Sequence, residues 1–259
     1  MYAELHFWSK SWMDCNKLKL NDDKTESILI KSDRIMLPDS APTSIQVGNS
    51  DVPFVSHARN LGITISSDTT VDKHVTNICR SAYTEPRHRS SIRHLLTVNA
   101  NKTFLSAFVL SKLDYCNSLL CGSPQFILDK FQRVQNSAAR LVMKSRKCDH
   151  VQPLLRSLHW LPVHSRIDYK ISILCFNTFT NSSPIYIVQL LSIYTPSRHL
   201  CSSSETHTLG IPFIKTKSCG HRAFSLTGPT QWNLMPDGLW HSEFSAFKTA
   251  LKTHLFRSA

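Results

Sequence analysis

Acid–base, metal and nucleophile chemistry each have a candidate set in this chain. His159, Trp160, His164 and Arg166 stand together in Leu158-His159-Trp160-Leu161-Pro162-Val163-His164-Ser165-Arg166, where an imidazole can move a proton beside a guanidinium. The apolar core of the same stretch, Trp160 to Val163, predicts instead a buried turn that packs two helices together. Cys201, His207, Cys219 and His221 offer the ligand types of zinc, but at the spacing C-x5-H-x11-C-x-H. Structural zinc sites pair their ligands about two to four residues apart, so no metal is expected. Ser225 and His221 lack the strand–elbow–helix context of a hydrolase nucleophile.

The remaining chemistry is electrostatic. The formal net charge is +12, and it is unevenly placed: residues 1–70 carry 7 Lys+Arg against 9 Asp+Glu, residues 71–259 carry 23 against 9. A net of −2 followed by +14 predicts a polyanionic partner for the second part, most simply nucleic acid. The 8 cysteines form no C-x-x-C pair, and several sit in apolar helical runs where Cys acts as a small hydrophobe. They are expected to be reduced. No apolar run approaches the roughly 18 residues of a membrane span, and Met1 to Lys10 lacks the order of a signal peptide. An intracellular site, nucleus or cytoplasm, is expected, with no membrane and no small-molecule substrate.

The elements that must position these charges follow from periodicity. Leu5 to Leu20 reads as a helix, Ser27 to Lys31 as a short buried strand, and Ser44 to Val55 as a hairpin about Gly48-Asn49. Leu61 to Ile65 supplies another strand. From Val71 the period becomes helical, with Val71, Val75, Ile78 and Ala82 on one face; Pro86 should end or kink that helix, and the next should start near Ser90. Asn101 to Leu120 reads as a central apolar helix. Ser123 should cap the clearest amphipathic helix, with Pro124 at its first position and Ile127, Phe131, Val134, Ala138, Leu141 and Val142 as its buried stripe. Helices are further predicted at Arg166–Phe179, after Ser183-Pro184, and over Ser242–Phe256. Short β-like pieces are predicted at Leu209–Lys215 and Ala223–Leu226. The aromatics Tyr83, Tyr169, Phe176, Tyr186, Trp232 and Trp240 are expected in the core. The fold class is therefore α+β and mostly helical: an N-terminal helix and small antiparallel sheet (1–70), a helical domain (71–150), and a mixed helical extension (151–259).

Several blocks, in order, carry a resemblance. They are "WSKSWMDCNKLKLNDDKTESILIK", "ARNLGITIS", "LDYCNSLLCG", "FQRVQNSAARLV", "LLRSLHWLPVHSRIDYK", "SPIYI", "TPSRHLCSS", "HRAFSLTGPTQWNLMP" and "FKTALKTHLF". From about Trp8 to Phe256 the chain resembles the C-terminal part of the reverse transcriptase of non-LTR (LINE-type, Jockey-like) retrotransposons. The resemblance implies a right-hand polymerase whose palm edge, thumb and extension are present here. It implies that Lys24 matches a general-acid lysine beside the incoming nucleotide's phosphates. Leu61 and Gly62 match a primer-grip hairpin. Arg87, Arg89, Arg93, Lys130, Arg133, Arg140, Lys144, Arg146 and Lys147 match a thumb that grips an RNA–DNA hybrid or duplex.

The parent enzymes use Mg2+ held by an aspartate pair and a further palm aspartate, which this sequence does not show. The expectation is a truncated member with no catalysis of its own and no cofactor. Two alternatives stay open: a stand-alone basic nucleic-acid-binding protein, as a domesticated fragment, and a non-functional pseudogene product.

Overall fold

A computed structural model describes residues 11–13, 15–18, 21, 24–31, 38, 41–47, 50–89, 96–180, 182–195, 208–215, 220–236, 238–239 and 243–258, with the side chains of 85–89 left undescribed. The chain forms two compact units, Met1–His74 and Val75–Ala259. The second holds both segments expected at 71–150, apart from its first residues, and 151–259. The fold is α+β and mostly helical, with two small antiparallel sheets of two strands each.

In the first unit, β1 (Ser44–Val47) pairs with β2 (Ser50–Pro53), Val47 facing Ser50, while Gly48 and Asn49 lie outside the described residues. β3 (His57–Asn60) pairs with β4 (Ile63–Ser66), Asn60 facing Ile63. Leu61 and Gly62 therefore form the two-residue turn and do not begin a strand. Both have positive φ, 47° and 81°, the signature of a type I′ turn, whose twist matches that of the flanking strands. Ser27 to Lys31 is no strand either. Ser27 makes a single bridge to Phe54, and its hydroxyl donates to the carbonyls of Val52 (3.3 Å) and Pro53 (3.0 Å), so a side chain replaces the ladder. The expected helix over Leu5–Leu20 falls largely outside the described residues.

Polar links hold this unit. The Glu26 carboxylate accepts the Arg59 N–H at 3.0 Å, and the His57 ring meets the Ser66 hydroxyl at 3.0 Å. The Thr64 N–H donates to Nδ1 of His74 at 3.3 Å. Burial holds the His74 imidazole below its usual 6.5, consistent with a neutral ring acting as acceptor.

The helix α1 (Asp72–Arg89) runs through Pro86. Proline there removes only the bond to the Ala82 carbonyl, and the helix ends three residues later, so the remaining turn bonds carry it. Val71, Val75 and Ala82 are buried as expected. Ser90 to Leu95 lies outside the described residues. The next described helix, α2 (Val98–Leu105), starts from Thr97, whose hydroxyl accepts the Ala100 N–H at 3.2 Å.

The predicted central helix is interrupted. A π-helical segment (Ser106–Leu110) follows α2, then α3 (Ser111–Asp114), then Cys116 turns left-handed (φ 53°) before a 3-10 segment, Asn117–Leu120. The break folds the run back so that the 3-10 segment packs on the later helix Val163–Phe179.

The amphipathic helix is α4 (Gln125–Met143), and all six predicted stripe residues are buried. Its start is shifted by one residue: Pro124, with ψ 145°, takes the cap position, and the Ser123 hydroxyl makes no cap bond. α5 (Val151–Leu158) and α6 (Val163–Phe179) flank the turn that buries Trp160, Leu161 and Val163, as the sequence predicts. α7 (Ile185–Val188) follows Ser183-Pro184.

Two β-like readings fail. Leu209–Lys215 contributes only the Leu209 bridge to Ile193, because Pro212 has no N–H for a ladder. The Asn233 amide clamps Leu209 instead, accepting its N–H and donating to its carbonyl, both at 2.9 Å. Ala223–Leu226 opens a helix, α8 (Phe224–Asn233), with Ala223 extended at its cap.

α6 is the hub of this unit: α4, α8 and α9 (Phe244–Ser258) all pack on it. A Cβ added to Gly228 would meet Cys175 Sγ at 3.2 Å, so glycine sets how closely α8 approaches α6. Phe176 stacks on Phe247 with centroids 4.2 Å apart, and Phe179 on Trp232 at 4.8 Å. Phe247 and Leu251 are buried, while Phe244 is exposed at 40%. Phe176 and Trp232 are core residues, Tyr83 and Tyr169 are half-buried, and Tyr186 is exposed because the one-turn α7 buries none of its side chains. Burial pushes the Cys175 thiol up to about 12 and keeps it inert.

Candidate nucleic-acid interface

The basic residues of α4 follow from its amphipathic pattern. With about 3.6 residues per turn, Lys130, Arg133 and Arg140 fall along one side of the helix, next to the buried stripe. Lys144 ends the helix in the left-handed conformation (φ 54°), its N–H bonded to the Arg140 carbonyl. The Ser145 N–H reaches the same carbonyl at 3.1 Å. Both N–H groups thus end on one carbonyl, with a left-handed residue closing the helix.

The turn beyond is pinned by Asp149, a residue absent from the candidates drawn from the sequence. Its carboxylate accepts the Arg146 N–H at 2.7 Å, and its carbonyl accepts from Arg140 Nη2 at 3.2 Å. Lys144, Arg146 and Lys147 are thereby displayed on an ordered turn, all exposed, as is Arg133. Among the described residues no carboxylate pairs with the side chains of Arg133, Lys144, Arg146 or Lys147.

Arg140 and Lys130 differ from them. Arg140 is half-buried and spends its guanidinium on the turn, with Nε enclosed and unbonded. Lys130 lies 5.9 Å from the Phe126 ring centroid and close enough to Cys79 to oppose the burial that pushes that thiol to about 11.

Arg87 and Arg89 lie in the last turn of α1. Their side chains, and Arg93 altogether, fall outside the described residues, as do Cys201, His207 and Cys219 of the zinc candidate set. Among the described residues no group of three His, Cys, Asp or Glu side chains is placed to hold a metal ion, and no helix is long and apolar enough to cross a membrane.

Lys24, Leu61 and Gly62 belong to the first unit. Lys24 is exposed on a short turn, its N–H bonded to the Asn21 carbonyl at 3.1 Å. Leu61 is 81% exposed at the hairpin tip.

A second arrangement was invisible in the sequence. Gln135, fully buried, donates to the Leu161 carbonyl at 2.7 Å, while Gln132 accepts the Val163 N–H at 2.9 Å. The two amides tie α4 to the α5–α6 turn, which fixes the helix that carries the basic strip. Comparison with protein-family models, curated proteins and solved structures finds no match to this chain.

Proposed function

We propose that the second unit binds nucleic acid through backbone phosphates, as the thumb and extension of a LINE-type reverse transcriptase relative, and does so without synthesising DNA. One observation carries the reading. Arg133, Lys144, Arg146 and Lys147 are exposed and unpaired among the described residues, Arg133 in the body of α4 and the other three at its end and on the turn that Asp149 pins. Cations without internal partners give up no ion pair on meeting phosphates, and each phosphate met releases condensed counterions.

The order of the sequence blocks supports the family; the strip supports the binding. The tight β3–β4 hairpin fits a strand-gripping role, since Leu61 holds a left-handed conformation that bulky residues seldom adopt.

The test is fluorescence anisotropy of a labelled duplex between about 50 and 200 mM salt. The intact chain should bind with log K falling steeply against log salt. Neutralising Arg133, Lys144, Arg146 and Lys147 to Ala should lower that slope by about 0.9 for each phosphate no longer neutralised. Binding unaffected by salt overturns the reading. Template-dependent extension of a primer in Mg2+ overturns its second half.

A further inference from the structure

Residues Lys144 to His150 join α4 to α5 outside any helix, and all but Ser145 are exposed. Ser145 is half-buried, with its N–H turned back onto the Arg140 carbonyl at 3.1 Å. Its hydroxyl is placed differently. Among the described residues it makes no hydrogen bond, and it is not enclosed, so water reaches it. The backbone is anchored and the nucleophilic atom is free. Neighbouring serines lack that freedom. Ser137 donates to the Arg133 carbonyl and Ser157 to the Leu154 carbonyl, both at 2.9 Å.

Charge supplies a second, independent observation. Lys144 precedes Ser145, Arg146 and Lys147 follow it, and all three are exposed. The Asp149 carboxylate is taken by the Arg146 N–H at 2.7 Å. Among the described residues no carboxylate pairs with the three side chains. Protein kinases choose among accessible hydroxyls by the charge pattern of the flanking residues. Cations on both sides of the serine match a kinase whose subsites are acidic and repel one whose subsites are basic.

We propose that Ser145 is a phosphorylation site for a kinase selective for basic flanks, and that its phosphate switches the α4 strip off. The hydroxyl oxygen attacks the γ-phosphorus of ATP. The bond from that phosphorus to the β–γ bridging oxygen breaks, ADP departs, and the hydroxyl proton passes to the base of the kinase. The product carries about −1.5 to −2 charges at neutral pH. The carbonyl end of α4 disfavours that charge, while Lys144, Arg146 and Lys147 beside it favour it. It offsets cations that otherwise meet nucleic-acid phosphates. The switch rests on the proposed duplex binding; the modification does not.

Incubating the whole chain with protein kinase C, which selects basic flanks, and ATP tests the site, with mass spectrometry to locate the phosphate. Ser145 should be labelled, and Ser137 and Ser157 should not. Ser145→Ala should abolish the labelling. Arg146→Ala with Lys147→Ala should slow it by about tenfold or more, through lost charge-assisted contacts to the kinase. Anisotropy of a labelled duplex, with phosphorylated and unmodified chains side by side, reads the switch. Phosphorylation should weaken binding by about tenfold or more and lower the salt slope by about 0.9 for each cation offset. Phosphate that settles elsewhere, or nowhere, overturns the site. A chain phosphorylated at Ser145 that binds duplex as tightly as before overturns the switch. An unmodified chain without salt-dependent binding removes the proposed function and the switch with it, while phosphate found at Ser145 still upholds the site.

Discussion

The two units hold themselves together by different means. In Met1–His74 the described apolar residues that are buried are Val52 and Val71, and the hairpins are tied by Glu26 to Arg59, His57 to Ser66, and Thr64 to His74. In Val75–Ala259 a contiguous apolar core runs from Val75 to Leu251, with α6 at its centre. Isolated two-stranded hairpins are marginal in water, so the first unit depends on each polar link. The second can carry an excess of positive charge on its outside because its inside supplies the stability. Charge and stability are separable there, which is what allows the basic strip to be neutralised without unfolding its support.

The largest test of that contrast is a pair of core truncations. Phe131 is 1% exposed on α4, and Phe131→Ala should cost about 3–5 kcal/mol in urea denaturation. Val52→Ala in the first unit removes two methyl groups from a residue 6% exposed and should cost about 1–2 kcal/mol. Equal losses would mean that the first unit has a core of comparable weight, and the contrast would fail.

A smaller pair probes the backbone. Leu61 and Lys144 both hold the left-handed conformation, one in each unit. A non-glycine residue there costs roughly 1–2 kcal/mol. Leu61→Asn gives the Asn-Gly pair that a type I′ turn favours, and should stabilise the hairpin by about 1 kcal/mol. Lys144→Gly should stabilise α4 by about 1 kcal/mol while lowering duplex affinity. Thermal unfolding and anisotropy, run on the same variants, separate the two effects. A Lys144→Gly chain that is more stable and binds duplex undiminished would remove Lys144 from the strip.

Much of this was legible in the residues. The stripe from Ile127 to Val142 could be read because helical period and burial coincide along one long element. The Trp160–Val163 turn was legible because an apolar run between two polar helix ends has nowhere to go but inward. The failures share a cause. Ser27–Lys31, Leu209–Lys215 and Ala223–Leu226 are short apolar runs whose state depends on a partner far along the chain: Phe54 for the first, Asn233 for the second, and α6 for the third. Local pattern does not encode such a partner.

The same distinction divides the site. The cations of α4 could be named one by one, because charge is local. The turn that orders them rests on Asp149, and the Arg166 guanidinium pairs with Asp114, 52 residues away in the chain. Neither follows from spacing.

The smallest effect expected is one of sign, and it sets the two units against each other. In the first unit His74 is held below 6.5 by burial. Its contribution is therefore full above pH 6.5 and is lost as pH falls through its folded value, when a proton must enter a buried ring that already accepts from Thr64. In the second unit His164 lies 3.0 Å from Asp168 on α6, and that hydrogen bond raises it above 6.5. Its contribution is full below 6.5 and is lost as pH rises through its folded value. The His164 side chain is 68% exposed, so solvent and salt weaken the pair. Acidification from pH 8 to 5 should then lower the exchange protection of the Thr64 amide, measured against its intrinsic rate. His164→Ala should cost the second unit more at pH 5 than at pH 8 in thermal unfolding. Protection at Thr64 that rises on acidification would show that His74 gains a partner when protonated, and the opposition between the units would not hold.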